Sequence, residues 1–150
     1  KTTKVVNWDE IKILPQKDGK QCFSYAGYDA VTMKMLGVHQ YENAVAAMLA
    51  AELFFEKYFA GKKNVPELKA LQHAIREGID RTQWMGRMEL VSNDPFFLMD
   101  GAHNSNGVEA LKKSLETMYP DEKFHFIMGV MADKDYGEMI FFRWHWILRQ

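Results

Sequence analysis

Between residues 41 and 59, Ala44, Ala47, Met48, Ala51, Phe55 and Tyr58 recur at steps of three or four, which predicts a long helix with one apolar face. Gly61 and two lysines follow as a stop. A second helix is expected from about Pro66, a residue suited to a first turn, with Leu68, Leu71, Ile75 and Ile79 on its buried face. Gly78 weakens its last turn. Residues 1–37 are strand-like and rich in turns. Val5-Val6, residues 11–14 and residues 22–25 read as short strands, punctuated by Pro15 through Gly19 and by Ala26-Gly27. This suits an antiparallel patch at the edge of a larger body.

A connector is expected over residues 82–89, with a domain boundary near Trp84. Strands are predicted over residues 88–91 and, past a turn at Asn93-Asp94-Pro95, over residues 96–99, the latter as a buried run. Residues 106–118 read as an amphipathic helix burying Val108, Leu111, Leu115 and Met118. After Pro120-Asp121 turns the chain, residues 124–130 read as a further strand. Strand, helix and strand in this order predict a right-handed βαβ unit with parallel strands, and so an α/β fold.

Composition narrows the function classes. The chain has 150 residues, 47% of them hydrophobic and 26% charged, the profile of one ordinary globular domain or parts of two. A net charge of -1 argues against a general electrostatic nucleic-acid binder, which needs a basic excess. The single cysteine, Cys22, excludes an internal disulfide framework and a cysteine-based zinc cluster. No signal peptide and no apolar run of membrane-spanning length are seen, so a cytoplasmic protein without a membrane partner is expected.

The candidate chemistry gathers where the predicted strand 96–99 ends. Asp100-Gly101-Ala102-His103-Asn104 leads from that strand into a helix amino terminus, where α/β folds collect ligands because unpaired N–H groups favour anions. Asp100 suits ribose hydroxyls, or is a turn acid. His103 suits a phosphate or a carboxylate substrate, or is a partly buried histidine with a backbone partner. Asn43, in the first turn of the long helix, is placed to meet a base or phosphate, or only to cap locally. Arg87, beside Gly86, has the planar fork for bidentate phosphate contact, or is a surface arginine paired with Glu89 or another acid. Ala132-Asp133-Lys134-Asp135 reads as a solvated helix start. His73 and His125 read as structural, and no metal ligands are expected within the chain. No G-x-x-x-x-G-K-[ST] phosphate loop and no G-x-G-x-x-G occur, so a phosphate cradle has to come from elsewhere.

Four motifs stand in fixed order: Leu36-Gly37-Val38-His39-Gln40 with Asn43-Ala44; Trp84-Met85-Gly86-Arg87-Met88-Glu89; Asp100-Gly101-Ala102-His103-Asn104; and Gly129-Val130-Met131-Ala132-Asp133-Lys134-Asp135. Together they resemble the folylpolyglutamate synthase/dihydrofolate synthase family of the Mur ligase superfamily, up to about Met139. The resemblance implies a fragment of the Mur ligase fold. Residues 1–84 would be the last part of the central ATPase domain. Residues 85–150 would be an incomplete carboxyl-terminal Rossmann-like domain with an atypical tail from about 140. It further implies ATP-dependent joining of L-glutamate to folate through an acyl phosphate, with Asn43 near the adenine, Arg87 at the phosphates and Asp100 at the ribose. His103 would face the reacting centre or the incoming glutamate, and His103 and Arg87 would carry catalysis. The family uses magnesium, whose ligands lie upstream of the matching region, and its members are monomers. The chain alone is expected to be inactive. Its aromatic tail would cover missing elements or mediate association. The alternatives are a non-catalytic nucleotide-binding or assembly module, and another Mur-type amide ligase.

Overall fold

The computed structural model describes residues 3–129 together with Met131 and Gly137. It resolves into two compact units. One comprises Lys1–Leu36 with Gln40–Gln83, the other Gly37–His39 with Trp84–Gln150.

The first unit starts with a three-stranded antiparallel sheet in the order β1-β2-β3: β1 Lys12–Lys17, β2 Lys20–Tyr25 and β3 Tyr28–Met33. Both hairpins are closed by two residues at positive φ, Asp18-Gly19 and Ala26-Gly27, the turn geometry that matches strand twist. Three expectations change. Val5-Val6 is not a strand. Pro15 lies inside β1 rather than in the turn, where the register slips between Leu14 and Lys17; an edge strand at an irregularity tolerates its missing N–H. The third strand was hidden because Asp29 and Ala30 interrupt its alternation, and Ala30 itself has φ +50°.

Helices α1 (His39–Phe59) and α2 (Leu68–Arg81) supply the rest of the core. Phe23, Tyr25, Tyr28, Val31 and Met33 pack with Tyr41, Ala44, Val45, Met48 and Ile75. Phe23 meets Tyr41 edge to face at 5.7 Å between centroids. The buried face of α1 ends at Met48. Ala47 and Tyr58, expected inside, are exposed, and the Lys62 ammonium lies 3.2 Å over the Tyr58 ring. α2 begins two residues after Pro66 and keeps Ile75 buried with Leu71 and Ile79 half-buried, but Leu68 is exposed. The Asp80 carboxylate receives the Lys20 ammonium at 2.7 and 2.8 Å and the Thr32 hydroxyl at 2.6 Å, tying α2 to β2 and β3. Glu52 accepts from Lys4 and Tyr28, each at 2.7 Å. Burial and the Glu52 carboxylate push the Tyr28 phenol well above its ordinary value.

The second unit is built on an antiparallel hairpin, β4 (Glu89–Asn93) and β5 (Phe96–Met99), followed by α3 (Ser105–Met118). Val108, Ser114 and Leu115 are buried on α3. β5 is a strand as predicted, but not a buried one: Phe96, Phe97 and Met99 are all exposed, because a ribbon of two strands covers neither face fully. Of the expected strand 124–130, residues 124–129 are described, and they are not in a strand. Phe124, Phe126 and Met128 are half-buried and His125, Ile127 and Gly129 exposed, a period of two. Among the described residues they belong to no ladder, and the unit expected as parallel βαβ is present as β5 and α3. Alternation reports a pleated chain; pairing needs an edge in register, which the pattern alone does not specify. The Phe124 ring packs with those of Phe96 and Tyr119 instead. The Ala132–Asp135 motif and the aromatic tail lie outside the described residues.

Candidate functional site

The hairpin β4–β5 brings the segments at its two open ends together, and carboxylates fasten them. Asp100 Oδ2 accepts the Met88 N–H and Oδ1 the Ala102 N–H, both at 2.8 Å. Glu89 Oε2 accepts the Gly86 N–H at 2.8 Å. The Gly101 N–H donates to the Gly86 carbonyl at 2.6 Å. A Cβ at Gly101 would lie 3.2 Å from that carbonyl oxygen, so this close approach favours glycine.

The fastening holds an unusual backbone. Met88 has φ +45° although its side chain is 1% exposed. A left-handed conformation costs such a residue about 1–2 kcal/mol. A hydrogen bond to a charged acceptor contributes about 1.5–3 kcal/mol, enough to offset it. The Met88 sulfur also lies where a Cβ at Gly37 would come within 3.2 Å, and that Cβ would meet the His39 ring at 2.8 Å. Gly37 has φ +112°, so both its conformation and its surroundings call for glycine. The adjoining Val38 N–H donates to Ser114 Oγ at 3.1 Å.

Arg87 lies between Gly86 (φ +68°) and Met88. It is exposed and makes no ion pair among the described residues. The pairing with Glu89 considered for it is not formed, since Glu89 turns to the Gly86 amide. His103 is exposed rather than partly buried, with Nδ1 2.9 Å from the Gly101 carbonyl. A carbonyl only accepts, so Nδ1 carries a proton, and in the neutral ring Nε2 is the acceptor nitrogen. Asn104 caps α3 by accepting the Gly107 N–H at 2.8 Å. Thus Arg87, Asp100 and His103 share one pair of connected segments. Asn43 belongs to the first unit, exposed on α1, its amide donating to Gln40 Oε1 at 3.0 Å.

The roles of Glu89, Met88 and Gly37 were not read from the sequence. For Glu89 the signal existed: an acid three residues after an amide is at the spacing with which capping boxes reach back. Nothing in the local pattern marks Met88 as left-handed. Among the described residues, no three His, Cys, Asp or Glu side chains are grouped to hold a metal ion.

Residues 86–143 match the family described as Mur ligase, glutamate ligase domain. Dihydrofolate synthase/folylpolyglutamate synthase of Bacillus subtilis (strain 168) is 32% identical over 113 residues, covering 75% of this chain and 24% of that protein. The chain belongs to the Mur ligase superfamily, on its folylpolyglutamate synthase/dihydrofolate synthase branch. A solved FPGS-AMPPCP-folate complex superposes with a TM-score of 0.72 at 24% identity, over 87% of this chain and 30% of the other. Escherichia coli FolC in complex with DHPP and ADP gives 0.53 at 26% identity, over 89% and 29%. The fold is therefore that of a part of these ligases, and the chain spans about a quarter of the length of its curated relatives.

Proposed function

We propose that this chain carries one side of the nucleotide site of an ATP-dependent ligase that joins L-glutamate to a folate. Residues 1–84 belong to the central ATPase domain in this reading, and residues 85–150 to the glutamate ligase domain. The supporting observation is Arg87: an exposed guanidinium, without a carboxylate partner among the described residues, inside the segment that matches the glutamate ligase family.

In the proposed reaction a folate carboxylate oxygen attacks the γ-phosphorus of ATP, the bond to the bridging oxygen breaks, and ADP leaves. The amino group of glutamate then attacks the acyl phosphate carbon, phosphate departs, and an amide forms with loss of a proton from nitrogen. Arg87 offsets charge on the transferring phosphoryl group. His103, with Nε2 open to solvent, faces the incoming glutamate and accepts its proton. Each Asp100 oxygen keeps a second lone pair for a ribose hydroxyl, and Asn43 meets the adenine. Magnesium, which the family uses, would offset phosphate charge from ligands outside this chain in this reading.

The reading predicts weak ATP binding and no glutamate addition by the chain alone when supplied with ATP, magnesium, glutamate and a reduced folate. Calorimetric titration checks the first part. No heat at millimolar ATP, or binding unchanged by Arg87→Ala, overturns the site. Turnover by the isolated chain overturns the inactivity.

A further inference from the structure

Arg87 has a long side chain with large rotamer freedom, and no described partner holds its guanidinium. Its backbone, by contrast, is fixed on both sides. Upstream, Gly86 is held twice, its N–H by Glu89 and its carbonyl by the Gly101 N–H. Downstream, the Met88 N–H is held by Asp100. Both flanking residues are left-handed, Gly86 at φ +68° and Met88 at φ +45°, and Arg87 between them is exposed. Met88, 1% exposed, anchors the far side by burial. Order spent on the backbone before a ligand arrives is order that binding does not have to supply.

We infer that Glu89 is a positioning residue for Arg87: with Asp100 it holds the N–H groups of the two residues that flank the arginine, Gly86 and Met88, so that the guanidinium is presented from a rigid pedestal. The inference rests on the proposed phosphate role of Arg87 only for its consequence in binding; the pedestal itself is independent of nucleotide. Its chemistry also separates the two acids. Glu89 serves one N–H through one oxygen, so glutamine, which keeps one carbonyl oxygen, can replace it. Asp100 serves two N–H groups through two oxygens, and an asparagine there places an NH₂ against one of them.

Two measurements on the 150-residue chain test it. In ¹⁵N relaxation without nucleotide, the Gly86, Arg87 and Met88 amides should have order parameters near 0.85. In Glu89→Ala, those of Gly86 and Arg87 should fall toward 0.6, and Glu89→Gln should restore them. Order unchanged in Glu89→Ala, or no restoration by Glu89→Gln, overturns the pedestal. In ATP titrations, Glu89→Ala should weaken binding about threefold to tenfold in the parent chain and not further in an Arg87→Ala background. An equal loss in both backgrounds shows that Glu89 does not act through Arg87 and overturns the inference. If Arg87→Ala leaves ATP binding unchanged while the relaxation result holds, the phosphate role fails and the pedestal stands.

Discussion

Asp100 Oδ2 accepts the N–H of Met88, twelve residues upstream, at 2.8 Å, and so closes the loop that the hairpin β4–β5 opens. The same carboxylate accepts the Ala102 N–H at 2.8 Å through its other oxygen. An acid placed where a ligand-contacting residue is expected is thus already part of the scaffold, which couples any ligand contact it makes to the geometry of Met88 and Arg87.

Asp100→Asn should therefore destabilise the chain although it changes no volume. One of the two amides loses its acceptor, and a buried or half-buried donor left unpaired costs about 1–3 kcal/mol. Urea denaturation followed by circular dichroism reads this; a midpoint equal to that of the parent chain contradicts the two-oxygen role.

Two glycines should respond in opposite directions. Gly37→Ala forces a Cβ to 2.8 Å from the His39 ring at φ +112° and should cost about 1–3 kcal/mol. Gly78→Ala, in α2 with nothing within 4 Å of the added Cβ, should gain about 0.4–1 kcal/mol through helix propensity and a less flexible unfolded chain. Thermal denaturation of the two variants side by side gives both signs.

The acid limb of stability should include Asp80. The Lys20 ammonium and the Thr32 hydroxyl hold its carboxyl below the usual range. A group lowered in the folded state stabilises above its unfolded value, near 3.9, and loses that contribution as pH falls through the lower folded value. The pair is about 30% exposed on each side, so solvent screening keeps the term to about 0.5–1 kcal/mol. Asp80→Asn should lower stability at pH 6 by that amount and narrow the difference from the parent chain below pH 3.5. A constant difference across this range contradicts the linkage.

His103 should be the Nδ1–H tautomer when neutral, since Nδ1 faces the Gly101 carbonyl at 2.9 Å. Long-range ¹H–¹⁵N correlation spectra distinguish the two nitrogens. Because the ring is exposed, His103→Ala should leave stability within about 0.5 kcal/mol of the parent chain. A predominant Nε2–H tautomer contradicts the assignment of Nε2 as the acceptor.

Much of the architecture was legible in local periodicity. α2, α3, β2 and the carboxyl-terminal half of the hairpin announce themselves through Ile75, Leu115, Phe23 and the run 96–99. Their environments were less so. Phe97 and Tyr58 are apolar and patterned, yet exposed, because burial depends on which layers lie above a face. β3 was concealed by Ala30 at positive φ. At the candidate site, Arg87, Asp100 and His103 were visible as residue types at loop positions. The bonds from Asp100 to Met88 and from Glu89 to Gly86 were not, since backbone amides carry no mark in a sequence.

Pro15 gives the first sheet a protected margin. It removes an amide donor from β1, the outer strand, and Lys12 and Lys17 at the strand's two ends add positive charge along the same border. An extended peptide arriving there finds an interrupted ladder and an electrostatic cost for bringing its own lysines close. On the opposite border, the Thr32 hydroxyl of β3 donates to Asp80 of α2. The β1 margin is thus a poor template for a further strand, and fibrillar misassembly of this chain through that edge is disfavoured.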